Sequence, residues 1–134
     1  MALTVDRRAI GRGSAAYLAM AVPCGLIIAL LHGSDTPGHE SNLWIAAVVV
    51  VIFLAPIIGG AVAGAAQPHA PLTHAAVAVG GPAATFLVVR AVVGQARGTL
   101  SAGQGLTFVL YLAVFTGFAV LGGYLAFRRQ AAAR

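Results

Sequence analysis

The chain has 134 residues, 60% of them hydrophobic and only 8% charged, where a soluble domain carries roughly 25% charged residues. A water-exposed globule is therefore excluded, and lipid is the expected solvent. The formal net charge of +5 comes from eight basic residues against three acids. All the basic residues are Arg, which points to a high-GC bacterial genome. They gather mostly at the two ends, without the aromatic interleaving that a nucleic-acid surface needs, so no nucleic-acid partner is expected.

The first apolar run is Ala15 to Leu31, extending toward Ser14 and His32, behind the basic Arg7, Arg8 and Arg12. That order resembles a secretory leader. However, Leu31-His32-Gly33-Ser34 offers no small-x-small cleavage pattern, and Pro23 before Cys24 argues against a lipoprotein site. A retained span is expected. The single cysteine excludes an internal disulfide and reads as a small buried hydrophobe. Ala21, Gly25, Ala29 and Gly33 recur every fourth residue, which predicts a packing stripe.

The loop from His32 to Asn42 holds His32, Asp35, His39 and Glu40. His and carboxylate are ligands for first-row metals. Their spacing suits no helix-borne metal site, and the loop reads as solvated.

The second run, Leu43 to Ala66, is uncharged. Gly60 and Gly64 form a GxxxG, beside a parallel row of Ala55, Gly59 and Ala63. The short connection Gln67 to Pro71 predicts a tight antiparallel hairpin stiffened by Pro68 and Pro71. His69 and His74 are five apart and share no helix face, and nothing around His74 in the sequence marks it as a sensor.

The third run, Leu72 to Val93, contains one charge, Arg90, and a small-residue row of Ala76, Gly80 and Ala84. A charge at the bilayer centre costs roughly 2.5–3.5 kcal/mol on insertion scales. Arg90 lies near the end of its run, where its long side chain snorkels to the headgroups or pairs with Asp35 or Glu40. Arg90, Asp35 and Glu40 are thus the candidate membrane-embedded functional or ion-pair residues. No catalytic, cofactor-binding or metal residues are assigned, and no cofactor is expected.

A loop from Gly94 to Gly105, holding Arg97, leads to the fourth run, Leu106 to Phe127. Phe108, Tyr111, Phe115 and Phe118 fall on one helical face and read as lipid-facing or groove-filling rings. Close packing is assigned to the first three spans.

A helix rising about 1.5 Å per residue needs about 20 residues to cross a core of roughly 30 Å, and the runs fit. Strands are excluded because the runs do not alternate and so few cannot close a barrel in lipid. The expected fold is all-α: a polytopic membrane protein, a four-transmembrane-helix bundle forming one domain over 1–134, with spans at about 15–32, 43–66, 72–93 and 106–127. Arg7, Arg8 and Arg12 on one tail and Arg128, Arg129 and Arg134 on the other place both termini in the cytoplasm of a cell-membrane protein, outvoting Arg97. Tyr17, Trp44, Tyr111 and Tyr124 lie near run ends, as interfacial rings do. Pro23, Pro56 and Pro82 interrupt the hydrogen-bond ladders of three spans. Pro23 with Gly59-Gly60 and Pro82 with Gly122-Gly123 suggest a parallel repeat.

There is no GxSxG, P-loop, HExxH or CxxC, and no acid within a span. The expectation is a non-enzymatic accessory or structural membrane subunit whose partners are the lipid bilayer and either a second copy or a larger membrane protein; the alternative is a small oligomeric transporter or channel. Size and span number resemble the small multidrug exporters, but their membrane-embedded Glu has no counterpart in Ala15 to Leu31. The Gly-rich, Arg-containing first-helix motif of the fluoride channels has none either. Ile58-Gly59-Gly60-Ala61-Val62-Ala63-Gly64, followed by His74 and Gly80-Gly81, resembles a stretch of uncharacterised four-span proteins of Gram-positive bacteria. That likeness covers about a quarter of the chain and implies no activity.

Overall fold

The computed structural model describes residues 5–33 and 42–133, with side chains at 5–28 and 46–133. Four helices follow in order: α1 Arg7–Gly33, α2 Asn42–Ala66, α3 Pro71–Ala96 and α4 Ala102–Ala132. Each is long and apolar enough to cross a membrane, and no strand occurs among the described residues. The protein is an all-α polytopic membrane protein.

The helices outrun the apolar runs because caps, not hydropathy, decide where they stop. α1 begins at Arg7 rather than near Ala15. The Asp6 carboxylate accepts the N–H groups of Arg8 at 2.8 Å and Ala9 at 3.4 Å, satisfying donors that the first turn leaves open. The expected Gly94–Gly105 loop shrinks to 97–101. On its α3 side, Gly98 N–H donates to Gln95 O at 3.0 Å and Thr99 N–H to Gly94 O at 2.9 Å. This closure needs the left-handed backbone that Gly98 supplies, φ 66. On its α4 side, the Ser101 hydroxyl accepts the Gln104 N–H at 3.2 Å and the Gln104 side chain accepts the Ser101 N–H at 2.9 Å, a reciprocal cap.

α2 lies between α1 and α4, whose backbones do not come together among the described residues, and α3 packs on all three. The two small-residue rows of α2 explain this. Gly59 and Ala63 receive α1: a methyl placed on Gly13 would lie 2.6 Å from Ala63 Cβ and 2.7 Å from Gly59 O. Gly60 and Gly64 receive α4: a methyl on Gly60 would collide with the Ala119 backbone, and one on Gly64 would lie 2.8 Å from Gly123 Cα. The Gly-Gly pairs of the two halves thus meet each other. Tyr17, Ala55, Val79 and Ala119, one residue from each helix, form a common buried cluster, with Met20, Ala21 and Phe115 against it.

Four expectations are corrected. The α1 packing surface is Ala9, Gly13, Tyr17 and Cys24, all buried, whereas a methyl on Gly25 would meet nothing within 4 Å. The cause is the early helix start, which brings the N-terminal turns of α1 into the bundle. For the same reason Tyr17 is a core residue, 7% exposed, and not an interfacial ring; Tyr111 and Tyr124 are exposed, and the Trp44 side chain lies outside the described residues. Finally, α4 also supplies close packing, through Ala119, Gly122 and Gly123, whose Cα atoms approach α2 and α3. Its aromatic face does fill grooves in part: Phe118 meets Phe53 of α2 edge-on at 5.5 Å, and Phe115 joins the core. In α3 the buried row is Ala75, Ala78, Val79 and Ala83, one position from the expected Ala76–Gly80–Ala84. Gly80 still admits Thr116 of α4, whose Oγ1 would lie 3.2 Å from an added methyl.

Burial is lopsided. Apart from Cys24 and Val48, the buried residues among those described lie between the α2–α3 turn and the level of Pro56 and Pro82. Inserting a methyl into the close-packed half, by Gly60→Ala or Gly122→Ala, is expected to destabilise the fold by about 1–3 kcal/mol. Gly25→Ala and Gly117→Ala, where a methyl meets nothing within 4 Å, are expected to stay within about 0.5 kcal/mol. Steric-trap unfolding in bicelles reads the difference.

Candidate functional site

Arg90 is exposed on α3, with its guanidinium carbon 5.9 Å from the ring centroid of Phe108 on α4. The ring face attracts the cation. Exposed Phe86, Val89 and Val93 surround it on α3. Asp35 and Glu40, the other two candidate residues, lie outside the described residues, as does His39; His32 is helical, with its side chain outside the description. Asp6, the described carboxylate, lies at the opposite end of the bundle, beside α3's first turn. The described structure therefore places Arg90 beside an aromatic ring and brings it to no carboxylate.

Two polar contacts that the sequence reading did not anticipate join α1 to α3. His74 is 2% exposed. Its Nε2 accepts the backbone N–H of Asp6 at 3.0 Å, and Nδ1 lies 2.8 Å from Ala70 O. Because the Asp6 amide can only donate, Nε2 must accept, and Nδ1 donates to Ala70 O. One imidazole so ties the cap residue of α1 to the first turn of α3. Further along, the Ser14 hydroxyl donates to Ala78 O at 2.7 Å. Pro82 explains that bond. It has no N–H, so the carbonyl one turn earlier, Ala78 O, loses its helical donor, and in lipid an unpaired carbonyl is costly. A hydroxyl from the neighbouring helix fills the gap.

The sequence contained signals for both. Asp6 stands just before a helix-compatible run, as caps do, and Pro82 announces an orphan carbonyl at Ala78. What it did not show is which helix supplies the partner. A third bond, from Gln130 Nε2 to Ala65 O at 3.0 Å, closes the end of α2.

The end of the bundle that carries these bonds is also its basic end. Arg7, Arg8 and Arg12 extend from α1, and Arg128 and Arg129, with Leu125 and Ala132, line a shallow depression on α4. His69 is exposed in the α2–α3 turn. Among the described residues, no three His, Cys, Asp or Glu side chains come together as a metal site would require. Compared with protein-family models, curated proteins and solved structures, the chain matches none.

If Ser14 serves the carbonyl that Pro82 orphans, the two residues are coupled. Ser14→Ala is expected to cost about 1 kcal/mol in the native background. It should cost little in Pro82→Ala, where the restored N–H serves Ala78 O. A double-mutant cycle in bicelles measures the coupling.

Proposed function

We propose that this protein is a non-enzymatic helical subunit of the cell membrane, with both tails in the cytoplasm, that packs against a second copy or a larger membrane protein. The observation that supports it is the closed interior around α2. Gly13, Gly60, Gly64, Gly122 and Gly123 bring backbone against neighbouring helices with no room for a methyl group, so the close-packed half leaves no lumen for a solute. The interior hydrogen-bonding side chains Ser14 and His74 are engaged in joining helices, which leaves them no free groups for chemistry. The cytoplasmic placement of the tails rests on their Arg residues, and the same composition motivates the bacterial cell membrane as location.

The transporter or channel reading has one feature in its favour, the exposed Arg90. Because Arg90 faces away from the bundle interior, any such path would run between copies and not through one. Crosslinking and native mass spectrometry in mild detergent test the proposal. The expected result is a defined homo-oligomer or a stoichiometric co-purifying membrane protein; a strict monomer with no companion at native expression overturns it.

A further inference from the structure

The Arg90–Phe108 pair combines a position along α3, an exposed cation and an apolar surround, and together these select a ligand. From Pro71, where α3 begins, to Arg90 the helix rises about 28 Å at about 1.5 Å per residue. That nearly equals the roughly 30 Å hydrocarbon core. A bundle whose α3 enters the core at Pro71 holds the Arg90 guanidinium at the boundary where the phosphates of the far leaflet lie. Beyond it toward the α3–α4 turn come Gln95, Arg97, Thr99, Ser101 and Gln104, all exposed. On the core side come Phe86, 64% exposed, and Val89, 56% exposed.

The local hydroxyls are already engaged: Thr85 Oγ1 donates to Gly81 O at 3.0 Å and Thr107 Oγ1 to Gly103 O at 2.9 Å. Recognition here therefore falls to the exposed guanidinium of Arg90, a fork of N–H donors lying against a ring. Such a fork matches phosphate oxygens in pairs. A free anion would leave the flanking apolar surface unused, whereas a phospholipid uses both.

We infer that Arg90, held against Phe108, binds the phosphate of a phospholipid in the leaflet on the α3–α4 turn side, with the acyl chains lying over Phe86 and Val89. Phe108 is the positioning residue: it orients the guanidinium and does not touch the phosphate.

The test is native mass spectrometry of the full-length protein in maltoside micelles, titrated with phosphatidylglycerol. Arg90→Gln is expected to weaken one bound lipid about fivefold, the worth of one basic residue at a membrane surface. Arg90→Lys is expected to retain part of that affinity, and Phe108→Leu to lose part of it with the charge intact. Arg129→Gln, at the other end, should leave this lipid in place. Diacylglycerol of the same chains should fail to bind there, and millimolar inorganic phosphate should fail to displace the lipid. An unchanged titration in Arg90→Gln, equal binding of diacylglycerol, or displacement by inorganic phosphate each overturns the inference. So does a rise of about fivefold or more in lipid affinity in Asp35→Asn/Glu40→Gln, because it would show that those carboxylates occupy Arg90 in the native protein. Arg90 is exposed, so thermal unfolding of Arg90→Gln should match the native protein and separate lipid loss from misfolding.

Discussion

Lipid tails solvate Leu and Val as well as another helix does, so burying apolar surface gives membrane helices little reason to associate. Attraction has to come from close atomic contact, which requires surfaces that let backbones approach. In this chain that constraint falls on α2. Its C-terminal half has two adjacent small-residue rows, Gly59 with Ala63 and Gly60 with Gly64, and each row admits a different helix. The consequence is the architecture itself: α2 in the middle, α1 and α4 on separate sides with their backbones apart among the described residues, and α3 across the assembly.

The second requirement of lipid is that backbone polar groups find partners inside the protein. Pro82 breaks that rule within α3, and Ser14 of α1 repairs it at Ala78 O. His74 takes up the amide of Asp6 at the start of α1, and Gln130 of α4 takes up Ala65 O at the end of α2. These bonds lie in the same half as the glycine contacts, so close packing and polar fastening reinforce each other there. Beyond the level of Pro56 and Pro82 the buried side chains among the described residues reduce to Cys24 and Val48. In that half the outer surfaces belong to lipid, and Arg90 is the one charged group among the described residues of its helical surface.

Helix number, class and the small-residue rows of α2 were legible in the sequence because apolar run length and Gly/Ala spacing act locally. Helix ends were less so. Asp6 and the Ser101–Gln104 box set boundaries through hydrogen bonds that hydropathy does not register, so α1 and α4 begin earlier than their apolar runs. Tyr17 reads as interfacial only when the span is taken to start at Ala15; the earlier start of α1 puts it in the core. Packing faces were legible where glycine dominates, as in α2, and not in α1, where two small-residue stripes compete and only contact with α2 chooses Gly13 over Gly25. The candidate site was half legible. Arg90 stood out as the lone charge in a span, but its companion ring was one of four aromatics on α4, and pairing across a hairpin is a tertiary fact.

The placement of α2 between α1 and α4 is tested most directly by crosslinking paired cysteines with a two-carbon bis-methanethiosulfonate in a Cys24→Ala background. Ala65→Cys with Gln130→Cys joins α2 to α4 at the point where Gln130 Nε2 meets Ala65 O at 3.0 Å; a Gln side chain separates the two backbones, beyond the reach of a direct disulfide, and the linker spans it, so this pair should link readily. Arg8→Cys with Gln130→Cys would join α1 to α4 at the same end of the bundle, and it should link far more slowly. A rapid Arg8–Gln130 crosslink together with a failed Ala65–Gln130 crosslink would place α1 against α4 and contradict the account.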